Sequence, residues 1–107
     1  MDLTPYQPSL DWIAAQHTPM VALTQQLADI NSGSDNLPGL RAVRAALAEA
    51  FAPLGGEAQV LPLAPITQIN AKGEAVVRPM AEAWTLRKRP QARLQLLLVG
   101  HMDTVYG

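Results

Sequence analysis

Apolar positions recur with one period before Gly55-Gly56 and another after it. On the N-terminal side the period is helical. Met20, Leu23, Leu27 and Ile30 fall on one helical face, with Gln25, Gln26 and Asp29 on the other. Thr18 followed by Pro19 predicts the start of that helix, a capping hydroxyl and then a proline at the first helical position. Ahead of it, Pro5 and Pro8 predict an extended arm over residues 1–9, and Ser9 predicts the cap of a short helix to about Gln16. The run from Asn31 to Asn36 consists wholly of turn and cap residues. Leu40, Val43, Leu47, Ala50, Phe51 and Leu54 then form a second stripe, which predicts a helix from about Leu37 to Leu54. Arg41, Arg44 and Glu49 lie outside the stripe, and the glycine pair stops the helix.

After the glycines the pattern is that of strands. Ala58 to Leu63 predicts one, and Pro62 assigns it to an edge. Asn70 to Gly73 predicts a turn between two short extended pieces within residues 65–77. Ala83 to Lys88 predicts another strand, and Pro90 to Ala92 a turn. Arg93 to Val99 carries the strongest strand signal. Its run of Leu94, Leu96, Leu97, Leu98 and Val99 is too continuous for a half-exposed strand and predicts burial on both faces. The expected fold is α/β, with two N-terminal helices packed on a small mixed sheet. A buried strand at the end of that order wants a neighbour on each side. An uncovered edge there invites pairing with another chain, as a homodimer or an aggregate.

Composition narrows the classes. The chain of 107 residues suits one small domain, and 49% apolar residues suit a packed core. A net charge of -1 supplies no field for nucleic acid or an anionic membrane. Arg87, Lys88 and Arg89, with Arg93 nearby, read as a solvated turn. There is no cysteine, which excludes disulfides, thiolate zinc sites and cysteine nucleophiles. The N-terminus has no apolar signal region, so a soluble cytoplasmic protein is expected.

Candidate chemistry sits at the end of the buried-strand signal. His101 and Asp103 are two residues apart, and in an extended segment such positions point to one side. A neutral imidazole can bind zinc through one nitrogen while a carboxylate accepts from the other. The tip of a strand in an open α/β sheet is also where such folds place their sites. The same residues read equally as a polar strand end, with Asp103 and Thr104 capping the next element. His17 reads as a surface or inter-helix residue. Ser32 and Ser34 have no G-x-S-x-G context and read as loop and capping residues. Asp29 and Asp35 read as caps at a helix end and a helix start, and Trp12 and Trp84 as core.

The flanks add weight to the metal reading. The tract from Leu96 to Tyr106 (L-L-L-V-G-H-M-D-T-V-Y) resembles the first metal-site motif of the di-zinc metallopeptidases and amidohydrolases. That family includes glutamate carboxypeptidase, acetylornithine deacetylase, succinyl-diaminopimelate desuccinylase and aminoacylase. Leu27 to Ser34, with Asn36, Gly39 and Leu40, is similar to the family's N-terminal helix–loop–helix.

The resemblance implies that His101 is a zinc ligand and Asp103 the catalytic-site carboxylate that orients it. It implies an activity, hydrolysis of an amide bond in a peptide or N-acyl amino acid, with two zinc ions in the intact enzyme. The resemblance covers the chain from about Thr18 onward and leaves residues 1–17 as the arm and short helix read from their own prolines and Ser9. Residues 18–107 would then be the N-terminal part of a catalytic domain, truncated after its first metal motif. The bridging aspartate, the glutamate pair, the remaining ligands and the inserted dimerisation domain of the family would all lie beyond that motif. The chain alone is therefore expected to be inactive. The competing expectation is a non-catalytic α/β module acting through self-association or a partner at its open sheet edge.

Overall fold

The proline pair that predicts an extended arm starts a helix instead. In the computed structural model, which describes residues 1–105, a 3₁₀ turn covers Thr4–Tyr6 and α1 comes next at Gln7–Ala15. Pro5 and Pro8 each fall in the first turn of their element, where the missing N–H has no intrahelical partner to lose. α2 spans His17–Ala28, beginning two residues ahead of the predicted first helical position at Pro19. Gln16 occupies the cap position and its side chain makes no capping hydrogen bond. α1 and α2 belong to a unit of their own, Met1–Ile30. Leu23, Leu27 and Ile30 are half-buried there, but Trp12, expected in the core, is 65% exposed.

The second unit, Asn31–Gly107, carries the rest of the elements. Tyr106, part of the predicted metal-site motif, and Gly107 lie outside the described residues. α3 spans Leu37–Phe51 and passes through a 3₁₀ turn, Ala52–Leu54, into Gly55. Gly55 adopts φ 65°, the left-handed conformation that ends helices and that glycine reaches without a steric penalty. Among the described residues the buried apolar ones are Leu40, Val43 and Ala46; of the predicted stripe, Leu47 is half-buried and Ala50, Phe51 and Leu54 are exposed.

Beyond Gly56 come four strands: β1 (Glu57–Leu61), β2 (Ile66–Ile69), β3 (Ala75–Arg78) and β4 (Ala83–Arg87). They do not make one mixed sheet. β1 pairs with β4, from Glu57 opposite Arg87 to Leu61 opposite Ala83, and β2 pairs with β3 as a hairpin. Both ladders are antiparallel, and among the described residues each has two strands. The hairpin turn is built by Asn70, whose side-chain oxygen accepts from the N–H groups of Lys72 and Glu74 at 2.9 and 3.0 Å. β1 ends at Leu61, so Pro62 closes an edge strand as its missing N–H requires. The observed fold is therefore three α-helices with small antiparallel sheets, a mixed α and β chain.

The strongest predicted strand is absent. Among the described residues, Arg93 to Val99 joins no ladder, and Leu94 and Leu96 to Val99 are 79–86% exposed. The run is hydrophobic enough for burial, but the strands that form here pair with one another and leave it uncovered. Gln95 folds back on the preceding turn, donating to the carbonyls of Arg89, Pro90 and Ala92. No described helix is long and apolar enough to cross a membrane.

α3 is tied to the β1–β4 ladder at two points. Phe51 and Trp84 meet with ring centroids 5.9 Å apart at 53°, a tilted pair. Glu82 accepts a fork from Arg41, through Nε at 3.1 Å and Nη2 at 3.1 Å, and a further bond from Arg44 at 2.9 Å. These bonds, led by Arg41, hold the Glu82 carboxyl down at about 2 against an ordinary 4.5. A depressed carboxylate stabilises the fold above its unfolded pKa and loses that contribution as pH falls through its folded one. The urea midpoint difference between wild type and Glu82→Gln should therefore be constant above about pH 5. It should shrink as pH falls from 4.5 toward 2. A difference that persists unchanged through that window would show that the Glu82 charge does not contribute.

Candidate functional site

The loop between Ile30 and α3 and the segment carrying the H-x-D pair are brought together, although 69 residues separate their contacting side chains. The loop is shaped by its own asparagines. Asn31 Oδ1 accepts from Gly33 N–H at 3.1 Å. Asn36 caps α3 by accepting from Gly39 N–H at 3.0 Å, and its Nδ2 donates back to the Asn31 carbonyl at 2.9 Å. Asp35, read as a cap, is instead the ion-pair partner of Arg78 at the end of β3. This contact ties the hairpin to the loop.

Gly39 lets that loop close. A Cβ at this position would lie 1.8 Å from the Asn31 carbonyl oxygen and 2.9 Å from Asn36 Nδ2. Ser32 then sits buried, at 1% exposure. Its carbonyl accepts from Thr104 N–H at 3.0 Å, within an isolated parallel bridge between Gly33 and Thr104. This bridge holds the motif segment beside the loop.

His101 and Asp103 meet as their spacing predicts. His101 Nδ1 lies 2.9 Å from the Asp103 carbonyl oxygen and 3.1 Å from its Oδ1. Both partners are acceptors, so in the neutral tautomer the network places the ring proton on Nδ1 and the lone pair on Nε2. The His101 side chain is 83% exposed. The other Asp103 oxygen, Oδ2, accepts from Ser34 Oγ at 2.7 Å. That hydroxyl, more than the imidazole, draws the Asp103 carboxyl below its ordinary range, while burial acts in the opposite direction.

Ser34 and Thr104 line two open hollows. One, of about 640 Å³, also reaches Asp35 and Arg78, and the other, of about 390 Å³, reaches His101 and Asp103. His17 is exposed in the first turn of α2, in the other unit. Sequence reading assigned Ser34 to capping and missed its bond to Asp103. Nothing local marks a contact across 69 residues.

The donor set fits one position of a zinc site. His101 offers Nε2 and Asp103 fixes the ring, the arrangement usual for a zinc-bound histidine. A catalytic zinc takes about three protein ligands. Among the described residues, no group of three or more His, Cys, Asp or Glu side chains could hold a metal ion. Compared with protein-family models, curated proteins and solved structures, the chain matches none.

Gly39→Ala tests the base of the site. Alanine favours a helix interior over glycine by about 1 kcal/mol. Against that, the new Cβ meets a backbone oxygen, which no rotamer change can relieve, so overpacking of about 1–3 kcal/mol should win. Urea unfolding should show a net loss of stability. An unchanged or raised midpoint would mean that the loop does not need this close approach.

Proposed function

We propose that the chain is the N-terminal portion of a zinc-dependent peptidase or amidohydrolase, carboxypeptidase-like, that hydrolyses an amide bond of a peptide or N-acyl amino acid. The observation that carries this reading is the pairing of His101 Nδ1 with Asp103, which leaves Nε2 as a ligand atom. His101 would hold the metal and Asp103 would fix the ring that holds it. When bound, zinc supplies Lewis-acid polarisation and a water that loses its proton near neutral pH. The remaining ligands and the general base must come from residues other than those described, because one imidazole cannot supply them.

In a zinc titration of the ¹⁵N-labelled chain, His101 Nε2 should shift first, with weak affinity, and His101→Ala should abolish the shift. N-acyl amino acids should stay intact with zinc present. Zinc that leaves His101 untouched would sink the ligand assignment, and cleavage abolished by His101→Ala would sink the expected inactivity of this chain.

A second reading, self-association or partner binding, is favoured by the exposed apolar run of Leu94 and Leu96 to Val99, which lies outside both ladders. The run contains neither charge nor proline, the devices that usually discourage an uncovered apolar segment from pairing with another chain. Static light scattering should report a mass that rises with concentration, and Leu97→Lys should return it toward the 11.5 kDa monomer. A clean monomer at high concentration would remove this reading.

A further inference from the structure

We infer that Ser34 is a positioning residue for His101, acting through the Asp103 carboxylate. The zinc consequence of this role rests on the proposed hydrolase function; the positioning itself does not. Asp103 has two oxygens and two side-chain partners. Oδ2 accepts from Ser34 Oγ at 2.7 Å, and Oδ1 faces His101 Nδ1 at 3.1 Å, sharing that nitrogen with the Asp103 carbonyl oxygen at 2.9 Å. A carboxylate can otherwise turn about its last torsion, which is broad and nearly two-fold. Tying one oxygen fixes the direction in which the other accepts.

The Ser34 hydroxyl is available for this because Asn36, two residues on, already caps α3. Its placement is also set from outside the pair. Gly33, its neighbour, is bridged to Thr104, and the Asn31 and Asn36 side chains shape the turn on either side. The serine therefore reaches the carboxylate from a framework that the H-x-D segment does not supply. With Oδ2 held by the Ser34 hydroxyl, Oδ1 stays turned toward His101 Nδ1. An acceptor aimed at that nitrogen favours the proton there and leaves Nε2 free of it in the neutral ring. A threonine hydroxyl can make the same bond, whereas alanine cannot.

The test reads the ring directly. Long-range ¹H–¹⁵N spectra of the metal-free chain at about pH 8, where an ordinary imidazole is neutral, report which nitrogen carries the proton. Wild type should show the Nδ1–H form at His101. Ser34→Ala should move it toward the Nε2–H form that free histidine prefers, and Ser34→Thr should restore it. Zinc affinity at His101 should fall in Ser34→Ala by roughly tenfold or less, since losing an orienting partner outright costs 10–100-fold.

Amide spectra and melting midpoints serve as the folding control. If Ser34→Ala does not fold, Ser34→Cys, read without metal, keeps the volume while weakening the donor and should shift the tautomer the same way. A His101 tautomer unchanged in a folded Ser34→Ala or Ser34→Cys chain would overturn the assignment. If wild type showed the Nδ1–H form and lost it in Ser34→Ala but bound no zinc at His101, the positioning would stand and the proposed hydrolase function would fall.

Discussion

The Asn36 side chain is the constraint on which the site stands. Its oxygen caps α3 through Gly39 N–H, and its nitrogen holds the Asn31 carbonyl. One amide thus fixes both the start of the helix and the path of the loop before it. The loop then offers the Ser32 carbonyl to Thr104 and the Ser34 hydroxyl to Asp103. Remove the close approach at Gly39, and the loop cannot hold this path while α3 keeps its first turn. Helix capping, normally a matter of local stability, here also positions groups distant in sequence.

A second anchor on α3 works through charge. Glu82 gathers both arginines of the helix just ahead of β4, and Phe51 reaches Trp84 within that strand. The core between these contacts is small, with Leu40, Val43 and Ala46 buried on α3. A ladder of two strands has little apolar surface of its own to bury, so its hold on the helix depends on a few side chains that reach across. The same shortage leaves the Leu94 to Val99 run uncovered.

What was legible in the sequence was local. Gly55 as a helix stop, the Asn70 to Gly73 turn and the pairing of His101 with Asp103 all depend on residues within a few positions of one another. Proline was legible only in part. Pro5 and Pro8 were read as breaking helices, yet a proline in a first turn also begins one. The strand at Arg93 to Val99 failed for a different reason. Hydrophobic continuity reports the environment a segment needs, and not whether the chain around it provides one. The expected single mixed sheet failed likewise, because period-2 patterning does not select partners, and β1 chose β4 across the whole β2–β3 hairpin. Asp35 and Ser34 were both read as caps. Their partners, Arg78 and Asp103, are 43 and 69 residues away, beyond the reach of any local rule.

This contrast explains how an H-x-D pair can be well formed where, among the described residues, no group of three or more ligand side chains gathers. Two side chains on one short extended segment need only that segment and one fixed hydroxyl to meet in the right geometry. Zinc affinity has no such economy. Each further ligand must arrive from another part of the fold, already desolvated and aimed, and the affinity grows with the number that do. The contact between His101 and the Asp103 carboxylate can therefore be supported by the loop that Asn36 shapes. A multi-ligand metal site of any kind depends on side chains that converge only through long-range packing. Local geometry sets which nitrogen of His101 faces outward, and tertiary structure sets whether anything binds there tightly enough to react.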